Sequence, residues 1–307
     1  MLHFPVLLEE SIDFLVNDHD GNYIDCTFGR GGHSKEILNR ISINGHLTSF
    51  DKDPEASKFS KNLLQDNFKM HHDSFKNLDN YFKDNSIDGI LYDLGVCSTH
   101  FDDSSRGFSF NQEGPIDMRF NNKNGQPLSE WLNTATTKEI SEILYNFWDE
   151  KHAALIAKAI VKKISENSIR NTKDLANTIE EVYPEKRNKT HPATKSFQAL
   201  RIFINDELEE LQKSLRDASK IIKKDGIIVT IAFQSLEDSI IKNFFRPTIR
   251  KFPKDIPINN ETERSFECVA KKIRPSKEEI KKNPRSRSAI MRVFKKLWLI
   301  EDIFYFL

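Results

Sequence analysis

The chain has 307 residues, 38% of them hydrophobic and 30% charged, enough apolar material for about two domains of ordinary size. Its 46 Lys and Arg balance 46 Asp and Glu, so net charge alone does not mark it as a nucleic-acid or membrane binder. No apolar run approaches the roughly 20 residues that cross a bilayer, and Cys26, Cys97 and Cys268 are too scattered for a disulfide framework or a zinc site.

The segment Met1 to Val6 shows neither a basic region nor a cleavage site, which together with the cysteine usage predicts a cytoplasmic location. The first clear signal is Tyr23-Ile24-Asp25-Cys26-Thr27-Phe28-Gly29-Arg30-Gly31-Gly32-His33. It reads as a short buried strand, a glycine-rich turn and a helix opening at His33-Ser34. Gly29, Gly31 and Gly32 let the backbone turn sharply and approach a ligand closely, and a helix N-terminus offers unpaired N–H groups. The spacing is not the G-x-G-x-x-G of a dinucleotide site. Asp25 would also repel a pyrophosphate, whereas it suits an ammonium group or an ordering hydrogen bond. S-adenosylmethionine, with an amino acid and a sulfonium but no phosphate, fits better. A purely structural strand–helix turn is the alternative.

Next come a strand at His46–Phe50 ending in Asp51, and a helix from Pro54 to about Asp66. Asp51 lies near the roughly 20-residue offset at which an acid meets ribose hydroxyls in doubly wound folds. A strand at Phe68–His72 leads to Asp73-Ser74-Phe75, where Phe75 either stacks on an adenine or anchors a helix start. A fourth strand, Ile87–Tyr92, delivers Asp93-Leu94-Gly95-Val96. His71 and His72 would face opposite sides of a strand, so no metal site is expected. Repeated strand–acid–helix units predict a parallel sheet with a ligand at its carboxyl edge.

From Thr99 to about Asn205 this alternation stops. Two loops, Arg106–Phe110 and Gly114–Arg119, precede helical periodicity over 128–132, 138–147, 152–166 and 172–182. A helix over about 206–224 and a strand at Ile227–Phe233 resume the sheet pattern. Basic residues cluster at Lys186, Arg187, Lys189, Lys195 and Arg201. Between Lys271 and Lys296 there are eleven Lys or Arg against two Glu, which fits phosphate contacts as well as a solvated loop.

With these motifs the chain resembles the MraW (RsmH) family of bacterial ribosomal RNA small-subunit methyltransferases. The resemblance runs from His3-Phe4-Pro5-Val6-Leu7-Leu8-Glu9-Glu10 to about Arg292. It includes Thr27 to Ser34, Asp93 to Val96, Arg106 to Arg119, His191 to Arg201, Ser235-Leu236-Glu237-Asp238 and Asn283 to Ser288. It implies a Rossmann-like α/β sheet of the class I S-adenosylmethionine-dependent type, formed by 1–104 and 206–307, with a mainly helical substrate-recognition domain inserted at 105–205. The implied reaction is N4-methylation of a cytidine in the decoding centre of 16S rRNA. Implied cofactor contacts are Gly31, Gly32, His33, Asp51, Phe75, Asp93 and His100, beside Gly29 in the turn.

Asp93 is the candidate acceptor for the N–H groups of the target amine, with cofactor binding alone as the other role. Phe108 and Phe110 either stack on a flipped base or anchor the insertion. Arg106 and Arg119 either hold phosphates or pair with Asp102, Asp103 or Asp117. Lys195, Arg285 and Arg287 are candidate RNA contacts. Where the family usually carries Ser-Ser-Pro-Gln, this chain has Cys97-Ser98-Thr99-His100, and Gln234 and Ser239 replace a histidine and an arginine. The apolar stretch Leu297 to Leu307 is expected to cover the sheet or to mediate self-association as a homodimer.

Overall fold

The structure, a computed structural model, describes residues 5–63, 65–148, 150–183, 191–249, 262–263 and 265–297. Lys186, Arg187, Lys189 and the apolar stretch after Leu297 therefore lie outside the described residues. By their internal contacts the residues divide into two units, Met1–Gly95 with Leu208–Leu307, and Val96–Glu207.

The first unit is built on a seven-stranded sheet. Its strands are β1 (Asn22–Asp25), β2 (His46–Phe50), β3 (Phe68–His71), β4 (Ile87–Asp93), β5 (Ile222–Ala232), β6 (Phe266–Ile273) and β7 (Ile290–Lys296), in the order β3-β2-β1-β4-β5-β7-β6. The first five run parallel, with Ile24 opposite both Thr48 and Ile90 in register. β7 is antiparallel to both of its neighbours. Strand order reverses between β1 and β4, which is where a doubly wound sheet opens a crevice for ligands. This is the expected Rossmann-like sheet.

Side-chain alternation along β4 explains why helices cover both faces. Ile90 and Tyr92 join Ile24 and Cys26 in one core with Leu211, Leu215 and Ala218 of α10 (Glu207–Ile221). Leu91 points the other way. It packs with Tyr23 and Leu47 in a second core, which takes in Ile12 and Leu15 of α1 (Leu8–Leu15) and Ile37 and Leu38 of α2 (Gly32–Arg40). Two expected bounds move. The helix after Pro54, α3, is confined to Ala56–Ser60, because Asn62 and Leu63 donate tightened i→i+3 bonds to Phe59 and Ser60. β5 begins at Ile222 rather than Ile227, with a register shift opposite Ile87 and Gly89.

The second unit is helical: α4 (Ser98–Asp102), α5 (Leu128–Thr134), α6 (Thr137–Trp148), α7 (Ala153–Ser165), α8 (Thr172–Glu180) and α9 (Ala193–Ile204). Its core contains Leu132, Leu144, Ile156, Ile160, Ile179 and Leu200. α9 was legible only as a motif, since its buried positions include Ser196 and Arg201, which blur the apolar period. The division falls at Val96 rather than 105. The reason is local packing: the His100 ring lies 4.9 Å from Phe108 and 5.5 Å from Phe120.

The loop over 106–120 is organised by buried polar groups rather than by secondary structure. Asn205 accepts from Phe120 N–H at 2.7 Å and donates to the carbonyls of Met118 at 2.8 Å and Arg201 at 2.9 Å. The Arg106 guanidinium donates to the carbonyls of Arg119 and Phe120. Asn205→Ala leaves these buried groups without their partner, at an expected cost of about 1–3 kcal/mol. Chemical denaturation measures it, and a loss under about 0.5 kcal/mol would contradict this account of the loop.

Candidate active site

Asp25, the last residue of β1, is fully buried beneath the glycine turn. Its carboxylate accepts from Thr27 N–H at 3.0 Å and from the Ser34 hydroxyl of α2 at 2.6 Å, and Ser34 is in turn 2.8 Å from the Ser49 hydroxyl of β2. Burial raises its pKa from 3.8 to about 6, partly offset by those hydrogen bonds. Of the two roles left open for Asp25, the ordering one is what the structure shows. A side chain sealed under the turn does not meet a ligand's ammonium group.

Above it the turn follows the constraints that its glycines imply. Gly29 and Gly31 have φ of +55° and +77°, and Gly31 is the N-cap of α2. A Cβ at Gly32 would come within 2.3 Å of the Pro5 ring. The turn is tied to the strands on both sides. Gly29 N–H donates to the Asp51 carboxylate at 2.8 Å, and the Thr27 hydroxyl accepts from Asp93 N–H at 2.8 Å. Thr27 was not singled out from the sequence. The signal was the Asp-x-Thr spacing, in which an Asp side chain takes the N–H two residues on.

Two further strand ends converge here. Asp51, after β2, also accepts from Asp53 N–H at 2.8 Å. Asp93 ends β4, its side chain 19% exposed, with Oδ2 at 3.5 Å from Nδ1 of the buried His33. The other nitrogen of His33, Nε2, is 3.1 Å from the Val6 carbonyl. Phe75 opens a 3-10 segment, Phe75–Asn80, whose N-cap is Ser74. Its half-buried ring meets Tyr92 edge-on at 5.8 Å and packs against the core. Gly29, Gly31, Gly32, His33, Asp51 and Asp93 are thus brought to one edge of the sheet.

The helical unit places its candidates differently. Arg106 is buried and hydrogen-bonded to loop carbonyls, so it is not presented to a phosphate. Arg119 pairs with Asp117 at 2.6 Å, the internal option. Phe108 is buried, stacked with Phe120 at 5.5 Å, and therefore anchors the loop rather than offering a free face to a base. Phe110 packs on Phe197 at 4.8 Å and His191 at 4.7 Å. His100 is buried against Phe108 and Phe120. Lys195 is exposed on α9. In the sheet unit, Arg285 and Arg287 are exposed on a 3-10 turn, Pro284–Ser288, which follows α12 (Lys277–Lys282). Gln234 caps α11 (Ser235–Phe244), with its N–H on Glu237 Oε2 at 3.0 Å.

The sequence pattern of the MraW methylase family matches residues 1–297. The chain belongs to the MraW methylase family. It is 41% identical over 309 residues to the ribosomal RNA small subunit methyltransferase H of Nitrosomonas europaea, covering 96% of this chain and 98% of that protein. The protein of the same name from Coxiella burnetii is 41% identical over 303 residues, covering 96% and 99%. Among solved structures, an rRNA methylase from Streptococcus thermophilus aligns over 94% of this chain and 93% of its own, with 11% identity and a TM-score of 0.40. Family membership makes the chain an rRNA methyltransferase, and the sheet edge is its candidate methyl-transfer site. Its residues suit S-adenosylmethionine: the glycine cradle leaves room where a Cβ would intrude, and the carboxylates of Asp51 and Asp93 suit hydroxyls and positive charge.

Because burial raises the Asp25 pKa to about 6, the folded state holds that proton more tightly than the unfolded chain does. The stability tied to it is full below about pH 4 and is lost as pH rises through about 6, amounting to roughly 3 kcal/mol. Asp25→Asn flattens that part of the stability–pH curve in urea denaturation. An unchanged slope would show that Asp25 does not retain the proton.

Proposed function

We propose that this member of the MraW methylase family transfers a methyl group to N4 of a cytidine in the decoding centre of 16S rRNA, acting in the cytoplasm on the small ribosomal subunit. The observation that carries the reading is Asp93, a partly exposed carboxylate at the switch point of the sheet, pinned through its own N–H to the glycine turn. The names of its relatives supply the rRNA of the small subunit as the substrate class.

S-adenosylmethionine, when bound, supplies an electrophilic methyl group on a sulfonium that leaves as a neutral thioether. The turn Gly29–Gly32 would cradle it, and Asp51 would take its ribose hydroxyls. The cytosine N4 amine is a weak nucleophile because its lone pair is delocalised into the ring. Localising that pair requires an acceptor on the N–H groups and a fixed line of attack. Asp93 is placed to supply the acceptor, and to take up the proton that N4 releases once it carries the methyl group. A base in the subunit would leave its stack to reach such a site. Arg285 and Arg287, exposed with Lys281 and Lys282, would hold the RNA backbone.

Incubation with labelled S-adenosylmethionine and 30S subunits lacking the modification, followed by nucleoside mass spectrometry, is expected to yield N4-methylcytidine at a single position. Asp93→Asn lowers the rate by about 10²-fold, the usual scale for removing one such stabilising group. Cofactor binding without product, on subunits that a relative modifies, would reject the catalytic reading. Replacing Arg285 and Arg287 together with alanine reduces the log–log salt slope of subunit binding by about 1.4–1.8, at roughly 0.7–0.9 per phosphate contact. An unchanged slope would remove both from the RNA surface.

A further inference from the structure

We propose that Glu210 is a positioning residue for the nucleoside end of the cofactor, holding the loops that follow β2 and β3 at a fixed spacing. The inference deepens the proposed function, since it rests on Asp51 taking the ribose hydroxyls.

Glu210 belongs to α10, whose Leu211, Leu215 and Ala218 enter the core of the sheet unit, and it is only 5% exposed. A carboxylate this deep is costly unless opposite charges reach it. Two do, one on each oxygen. Lys52 Nζ lies 2.7 Å from Oε2, and Lys76 Nζ lies 3.2 Å from Oε1. Both lysines come from elements far away in the chain, unlike the i→i+4 pairs that line exposed helix faces. Their places are informative. Lys52 is the residue after Asp51 in the loop that follows β2, and Lys76 is the residue after Phe75 in the 3-10 segment that follows β3.

Lys213, one turn further along α10, adds a second grip on that 3-10 segment. Its Nζ donates to the Lys76 carbonyl, lies 3.3 Å from Asp79 and is anchored by Asp217 at 3.0 Å. The two loops also meet each other, with His72 Nε2 at 2.9 Å from the Lys52 carbonyl. Strand pairing between β2 and β3 ends at Phe50 and His71, and past it side chains take over the spacing. Asp51 is thereby referenced to two fixed points. Its own carboxylate holds the glycine turn through Gly29 N–H at 2.8 Å, and its neighbour Lys52 is held to α10. If Glu210 loses its charge, a nucleoside must restrict looser loops on binding, which lowers affinity without touching the reacting atoms.

The test is calorimetric titration of the intact chain with S-adenosylmethionine and with 5′-methylthioadenosine, which lacks the amino-acid end. Glu210→Gln is expected to weaken both by about 10-fold, equivalent to about 1.4 kcal/mol. In the methylation assay its KM for S-adenosylmethionine rises by about the same factor, with kcat at saturation changed less than about twofold. Unchanged affinities, or a fall in kcat with KM unmoved, would overturn the positioning role. Lys76→Met, at the more exposed partner, covers the case in which Glu210→Gln fails to fold, and about a threefold loss is expected. A double-mutant cycle separates positioning from packing. Coupling of Glu210 and Lys76 in urea stability but not in cofactor affinity would reject the proposal. Asp51→Asn tells the two levels apart. If it leaves both ligands bound as before, the ribose reading fails; if it weakens them while Glu210→Gln does not, only the role of Glu210 fails.

Discussion

A carboxylate taken out of water without a full ionic partner is costly, and Asp25 is tolerated because hydroxyls and an N–H converge on it. Thr27, Ser34 and, through Ser34, Ser49 tie the turn after β1 to α2 and β2. The Thr27 hydroxyl then reaches Asp93 at the end of β4. The position of the candidate acceptor is thus inherited from a group that never meets solvent. The raised pKa of Asp25 is the energetic trace of that arrangement.

The same economy of polar groups organises the helical unit. Asn205 and Arg106 satisfy backbone groups of a loop that forms neither helix nor strand over most of its length. Arg201, buried, forms a two-point pair with Glu207 at 2.8 and 2.9 Å at the junction of α9 and α10. Arginines that look like RNA contacts by composition are therefore divided by burial. Arg106 and Arg201 belong to the scaffold, while Arg285 and Arg287 face solvent.

Much of the sheet unit was legible because its signals are local. Short apolar runs ending in acids, a glycine turn and the 20-residue offset to Asp51 each report on a few adjacent residues. The helices at 128–134 and 172–180 were legible for the same reason. α9 was less so, because buried Ser196 and Arg201 interrupt the apolar stripe that periodicity relies on. For Phe108 and Arg119 the sequence left two roles open. Burial against Phe120 selected the anchoring role for Phe108, and the ion pair with Asp117, two residues away, selected the internal role for Arg119.

By itself, then, the sequence determined the α/β class and the succession of the first strands along the chain, since these follow from residue type and spacing, and the resemblance carried by its motifs pointed to the methyltransferase family. Only the tertiary structure decided that Asp25 supports the turn rather than a ligand, that Thr27 links the turn to Asp93, and that His33 meets Asp93 across 60 residues of sequence at 3.5 Å. The physical reason is that desolvation and hydrogen-bond partnership depend on what surrounds a group in space. Neither quantity is set until the strands have paired and closed the turn above β1.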